Sequence, residues 1–130
     1  MSARLLGRAG AVLSTLVVGM LVFAGPPAAA GSFTWSASLK ASLTSRPWTQ
    51  SGGTLSINSN LGCGGKTGKV YYITPQRKTT IGWTNYTARA YLCGWSETNT
   101  WNTSAGTYRF VITTTNEGVT LSGSGTTRYP

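Results

Sequence analysis

No aspartate and no histidine occur in the 130 residues, and the only carboxylate side chains are Glu97 and Glu117. That scarcity removes the Ser-His-Asp triad, histidine metal sites, the EF-hand and the aspartic dyad. No metal and no cofactor is expected. A glycoside hydrolase would need the two glutamates flanking one bond. Both read as turn residues, with Glu117 in Asn116-Glu117-Gly118 a solvated hairpin position. Gly62-Cys63-Gly64-Gly65-Lys66-Thr67 ends like a phosphate-binding loop, yet Asn60 stands where the first glycine belongs and no helical pattern follows. The composition points to a protein that binds rather than catalyses.

Long hydrophobic runs are missing too. The longest, Ala11 to Ala24, has fourteen residues, which reach about 21 Å as a helix against a hydrocarbon core of roughly 30 Å, so no membrane span is expected. Arg4 and Arg8 precede the run, Gly25-Pro26-Pro27 breaks it, and Ala28-Ala29-Ala30 offers small residues to a peptidase. Together these read as a secretory signal, residues 1–30, cleaved after Ala30. No lipidation cysteine and no twin-arginine pair accompanies it. Residues 31–130 are then one secreted domain, the number the length allows.

Aliphatic residues are few: Leu, Ile, Val and Phe together number 15 in residues 31–130. Five Trp and six Tyr compensate, because each buried ring removes roughly 150–250 Å² from water. Twenty threonines in residues 31–130 favour pleated, half-exposed surfaces. Cys63 and Cys93 are the only thiols. In an oxidising compartment they have one intramolecular pairing, and a disulfide is expected. Nine cations against two glutamates give residues 31–130 a formal charge of +7.

Phe33, Trp35, Ala37, Leu39, Ala41 and Leu43 alternate with polar residues without a break, which predicts one long strand with a single buried face. Arg46-Pro47-Trp48 and Ser51-Gly52-Gly53 read as breaks, and Thr54–Ser59 as the next strand. Lys69–Thr74 follows, with Pro75-Gln76-Arg77-Lys78 as its turn. Thr79–Trp83 and Thr87–Cys93 read as two strands or one bent strand, and Gly94–Gly106 as the longest loop. Thr107–Thr115, the turn at Asn116-Glu117-Gly118 and a final strand through Val119, Leu121 and Gly123 close the chain. Six or seven strands without an amphipathic helix predict an antiparallel β-sandwich, with a small closed barrel as the alternative.

Gly106-Thr107-Tyr108-Arg109-Phe110-Val111-Ile112, the Gly118 turn and Val119-Thr120-Leu121-Ser122-Gly123 resemble the final hairpin of bacterial extracellular β-sandwich modules. With its early Trp strand, one cysteine pair and Gly-x-Gly ending, the chain resembles small secreted orphan proteins of actinobacteria. The resemblance implies a fold and a compartment and carries no activity.

Two groups of residues stand out as candidates for binding. Lys66, Lys69, Arg77 and Lys78 cluster around the third strand, with Arg89 and Arg109 on later ones. They are either a solvated edge that discourages sheet-to-sheet pairing or a surface for a polyanion. Trp48, Trp95 and Trp101 lie in polar, loop-like surroundings, where an indole either caps the core or offers a platform to a sugar ring. The expected partner is an extracellular polysaccharide or anionic cell-wall polymer, bound by a monomer. No dedicated nucleic-acid module is visible. The alternative is a small cationic antimicrobial, toxin or enzyme inhibitor, with Gly94–Gly106 as the inhibitory loop.

Overall fold

The computed structural model describes residues 30–66, 68–115 and 118–130. Most of the expected signal, Thr67 of the glycine-rich loop and Asn116-Glu117 of the expected hairpin turn lie outside the described residues. Among those described there are ten strands and no helix: β1 (Gly31–Leu39), β2 (Ser42–Thr44), β3 (Trp48–Gln50), β4 (Gly53–Gly62), β5 (Val70–Thr79), β6 (Gly82–Asn85), β7 (Arg89–Leu92), β8 (Glu97–Thr103), β9 (Gly106–Thr114) and β10 (Leu121–Tyr129). They form two antiparallel sheets, β1-β10-β4-β8 and a second built on β9 and β5. The sheets do not close into a barrel, and the β-sandwich predicted by the alternation is the architecture found.

The second sheet is simpler than its six strands suggest. β2 and β3 both pair with β9, at successive stretches of one edge, and β7 and β6 both pair with β5 along the other. Counting each interrupted edge as one strand leaves two four-stranded sheets, in the order of a jelly roll: first-eighth-third-sixth facing second-seventh-fourth-fifth. Ser45 bridges the first interruption. Its N–H donates to the Phe110 carbonyl and its hydroxyl accepts from the Phe110 N–H, each at 2.8 Å.

Several expected boundaries are corrected. The run from Phe33 to Thr44 is two strands, because at Lys40-Ala41 the chain passes from one sheet to the other. Ala41, expected on the buried face, is exposed at the crossing, and the alternation resumes in phase at Leu43 because both sheets face one core. Trp48, read as the end of the break Arg46-Pro47-Trp48, instead opens the edge strand β3 (Trp48–Gln50) directly after Pro47. Gly94–Gly106, read as the longest loop, is mostly β8. Pro75-Gln76-Arg77-Lys78, read as a turn, continues β5. The Pro75 carbonyl accepts from Tyr86 N–H at 2.8 Å, so this residue's missing N–H faces the gap between β6 and β7. There no ladder bond is lost.

The inward faces meet in a core led by rings: Phe33, Trp35, Trp48, Tyr71, Tyr91, Trp101, Tyr108, Phe110 and Tyr129 are all buried. The polar atoms of Trp35, Tyr71 and Tyr91 are satisfied, as burial requires. Trp35 Nε1 donates 3.1 Å to Thr127 Oγ1, Tyr91 Oη 2.7 Å to the Ile57 carbonyl, and Tyr71 Oη lies 2.8 Å from Ser59 Oγ. Burial of Tyr71 and Tyr91 pushes both phenols above the ordinary range. Trp35 stands opposite Gly125 in the β1–β10 ladder, and a Cβ there would overlap the Trp35 ring and the Asn58 carbonyl. Gly125→Ala should therefore cost about 1–3 kcal/mol, read as a lower urea midpoint at unchanged slope. An unchanged midpoint would show that the ring has room to move.

The outward face of the β1-β10-β4-β8 sheet carries short neutral polar side chains. Rows across it run Ser32, Arg128, Ser56, Thr100 and Thr34, Thr126, Asn58, Thr98, followed by Ser36, Ser124 and Asn60. Arg128 is the one charge among them. Asn58 is tied by its amide to Ser96 Oγ, Glu97 O and Thr98 Oγ1 at 3.2, 3.3 and 2.9 Å.

Candidate functional site

The sheet register separates the side chains that the sequence groups together. Trp48 and Trp101 belong to the core, with 2% and 3% of their surface exposed, and are not loop platforms. Both lie on strands that the sequence reading took as irregular, which is why their polar neighbours misled. Trp101 Nε1 donates 2.7 Å to the Thr87 carbonyl, and the Arg89 guanidinium lies 5.8 Å from the Trp101 ring centre, across the open edge between the sheets. Trp95 alone of the three is exposed, at 65%.

Trp95 shares one end of the sandwich with Lys66 and Lys69. The Cys63–Cys93 disulfide joins their two loops, and Cys93 N–H donates 2.9 Å to the Lys69 carbonyl. The described carboxylate, Glu97, accepts from Leu92 N–H at 3.1 Å at the adjoining edge. Arg77 and Lys78 lie at the opposite end of β5. The four cations therefore do not form one patch.

Register brings a different set together. On the outward face of the second sheet, Asn85, Gln76 and Arg109 stand directly across from one another on β6, β5 and β9. Gln76 Nε2 donates 2.8 Å to Asn85 Oδ1, and Arg109 Nε donates 2.6 Å to Gln76 Oε1. The Arg109 guanidinium also packs 4.1 Å from the ring centre of half-buried Trp83, whose neighbour across the ladder is Lys78. A guanidinium so close to an indole is held by the ring's quadrupole. The result is a flat row of indole, guanidinium and two amides on a sheet in which no described side chain is a carboxylate.

Asn85 also lines a cleft of about 410 Å³ at that end of the sandwich, with Arg77, Thr84, Tyr86, Thr87 and Ser104. Arg77 Nε and Nη2 both donate to the Ala105 carbonyl, at 3.2 and 3.0 Å. Tyr108 Oη donates 2.7 Å to the Ser104 carbonyl and lies 3.0 Å from Tyr86 Oη. Burial raises the Tyr108 phenol. Burial opposes the Tyr86 anion as well, but hydrogen bonds from Tyr108 and Ser104 and the positive charge of Arg77 outweigh it, so the Tyr86 phenol sits below its ordinary value.

Of this site the sequence singles out Arg77, Lys78 and Arg109 as cations. Trp83, Gln76, Asn85 and Tyr86 escape it, because their proximity depends on which strands pair with β5. The available signal is local: Gln76 and Lys78 follow Tyr72 and Thr74 on one side of β5, a polar alternation opposite Tyr71, Ile73 and Pro75. No group of three His, Cys, Asp or Glu that could hold a metal occurs among the described residues. Among them also, no helix is long and apolar enough to cross a membrane. No protein-family model matches the chain, and no curated protein matches it.

Proposed function

We propose that residues 31–130 are secreted and act as a monomeric, non-enzymatic binding module for an extracellular or cell-wall polysaccharide or similar polyanionic surface. The row Trp83-Arg109-Gln76-Asn85 carries this reading. Its amides and guanidinium are fixed by one another, so little side-chain freedom is lost when a ligand meets the remaining donors and acceptors. The indole supplies apolar contact for a sugar ring. Lys78 and the formal +7 charge add attraction that salt screens. Jelly rolls also serve as lectin domains, a likeness of fold alone. The disulfide is in keeping with an oxidising compartment.

Sedimentation with an insoluble cell-wall preparation tests it. Trp83→Ala should weaken binding by about tenfold, borrowing the roughly 1–3 kcal/mol scale of ring stacking on bases, at both low and high salt. Charge reversal at Lys78 should matter at low salt only. A folded Trp83→Ala variant that sediments like wild type removes the row from the binding surface.

A further inference from the structure

We infer that the cleft beside this row is a socket for one carboxylate or phosphate group of the bound polymer, with Arg77 as its fixed guanidinium. The inference rests on the polysaccharide reading and narrows the ligand to an acidic polymer. Arg77 is an inward-facing residue of β5, level with Tyr108 on one side and Thr84 on the other, where the core ends. Its guanidinium does not extend away from the protein. It lies across the start of β9, with two N–H groups on the Ala105 carbonyl. The bare backbone of Gly106 makes room: a Cβ there would come within 2.8 Å of Arg77 Nε.

Of the five N–H donors of an arginine, two are so used and three remain. The other lining groups are neutral donors and acceptors, the hydroxyls of Thr79, Thr84, Thr87 and Ser104, the Asn85 amide and the Tyr86 phenol. No described lining residue supplies a carboxylate to neutralise the guanidinium. A planar cation held by a carbonyl suits the two-oxygen edge of a carboxylate or phosphate, and hydrogen bonds between charged groups are about twice as strong as neutral ones. A neutral glycan could use the hydroxyls but not the charge. The cleft volume falls within the range of small-ligand sites, about 300–1,000 Å³. Asn85 belongs to both cleft and row, so a polymer seated by one acidic group would continue directly onto the platform.

Binding of residues 31–130 to polygalacturonate, to a poly(glycerol phosphate) chain and to neutral dextran, each at physiological salt, tests the inference. Wild type should prefer at least one acidic polymer to dextran by roughly 10- to 100-fold, and Arg77→Gln should remove that preference. Gly106→Ala, which keeps the charge but displaces it, should act in the same direction. Arg128→Gln, on the far face, removes the same charge and should leave the preference intact. The acidic polymer whose affinity depends on Arg77 identifies the group as carboxylate or phosphate. Equal losses in Arg77→Gln and Arg128→Gln, or dextran held as tightly as both acidic polymers, overturn the socket while leaving the platform standing. Binding to none of the three polymers, nor to the cell-wall preparation, overturns both.

Discussion

Trp48→Ala is expected to lower the melting temperature by about 15–30 °C. Trp48 packs against Phe33 at 5.4 Å between ring centres, against Phe110 and Tyr129 at 6.2 Å each, and against Tyr108 at 6.3 Å. Removing an indole from such a setting costs about 3–5 kcal/mol, and each kcal/mol moves the midpoint of a domain this size by roughly 4–8 °C. The indole is also the head of a buried chain of hydrogen bonds. Its Nε1 donates 2.9 Å to Gln50 Oε1, Gln50 Nε2 donates 2.7 Å to Thr103 Oγ1, and Thr103 Oγ1 donates 2.7 Å to the Gly53 carbonyl. Truncation strands the Gln50 oxygen without its donor, which adds to the loss. Calorimetry on the purified domain measures it. Trp95→Ala, by contrast, should stay within about 0.5 kcal/mol of wild type, as surface substitutions do. Similar shifts for the two variants would mean that ring burial does not stabilise this core.

Joint replacement of Cys63 and Cys93 by serine should cost about 3.5 kcal/mol in the chain-entropy model, for a bridge spanning 30 positions. That is a large part of a net stability of roughly 5–15 kcal/mol. The bridge ties the β4–β5 connection to the chain leaving β7, where Gly94 N–H also donates 2.8 Å to the Leu61 carbonyl. Both cysteines are buried, so the serines would place two hydroxyls among apolar neighbours. Guanidinium unfolding with and without reductant provides the check. A midpoint insensitive to reduction would assign the stability of this end to packing instead.

Much of the fold is legible in the alternation of Phe33, Trp35, Ala37, Leu39 and Leu43, all of which are buried. Period two states which side of a strand faces inward. It carries no information on which sheet the strand joins, so the crossing at Lys40-Ala41 passes unseen. Proline and glycine mislead in a consistent way. Pro47 reads as a break and Pro75 as a turn, yet one precedes an edge strand and the other lies beside an interrupted one, where the chain can do without an N–H. The cysteine pair is legible because two thiols leave a single choice. The candidate site is not, since Trp83, Gln76 and Arg109 are separated by up to 33 residues and meet only through the pairing of β5 with β6 and β9. Charge could be counted along the chain, but assigning Arg77 to the cleft and Lys78 to the outer surface needed the strand to continue past Pro75.

The far face of the sandwich, with its rows of serine, threonine and asparagine, gains a meaning once the opposite face is occupied. A molecule lying on a polymer through its second sheet has a fixed orientation, and every adsorbed copy turns this hydroxyl-bearing side outward. Short side chains of one chemical kind, with Arg128 the only charge among the rows, hold a hydration layer and offer a second copy neither an apolar patch nor an array of opposite charges. If the second sheet binds a polymer as proposed, coverage should therefore stop at a single layer.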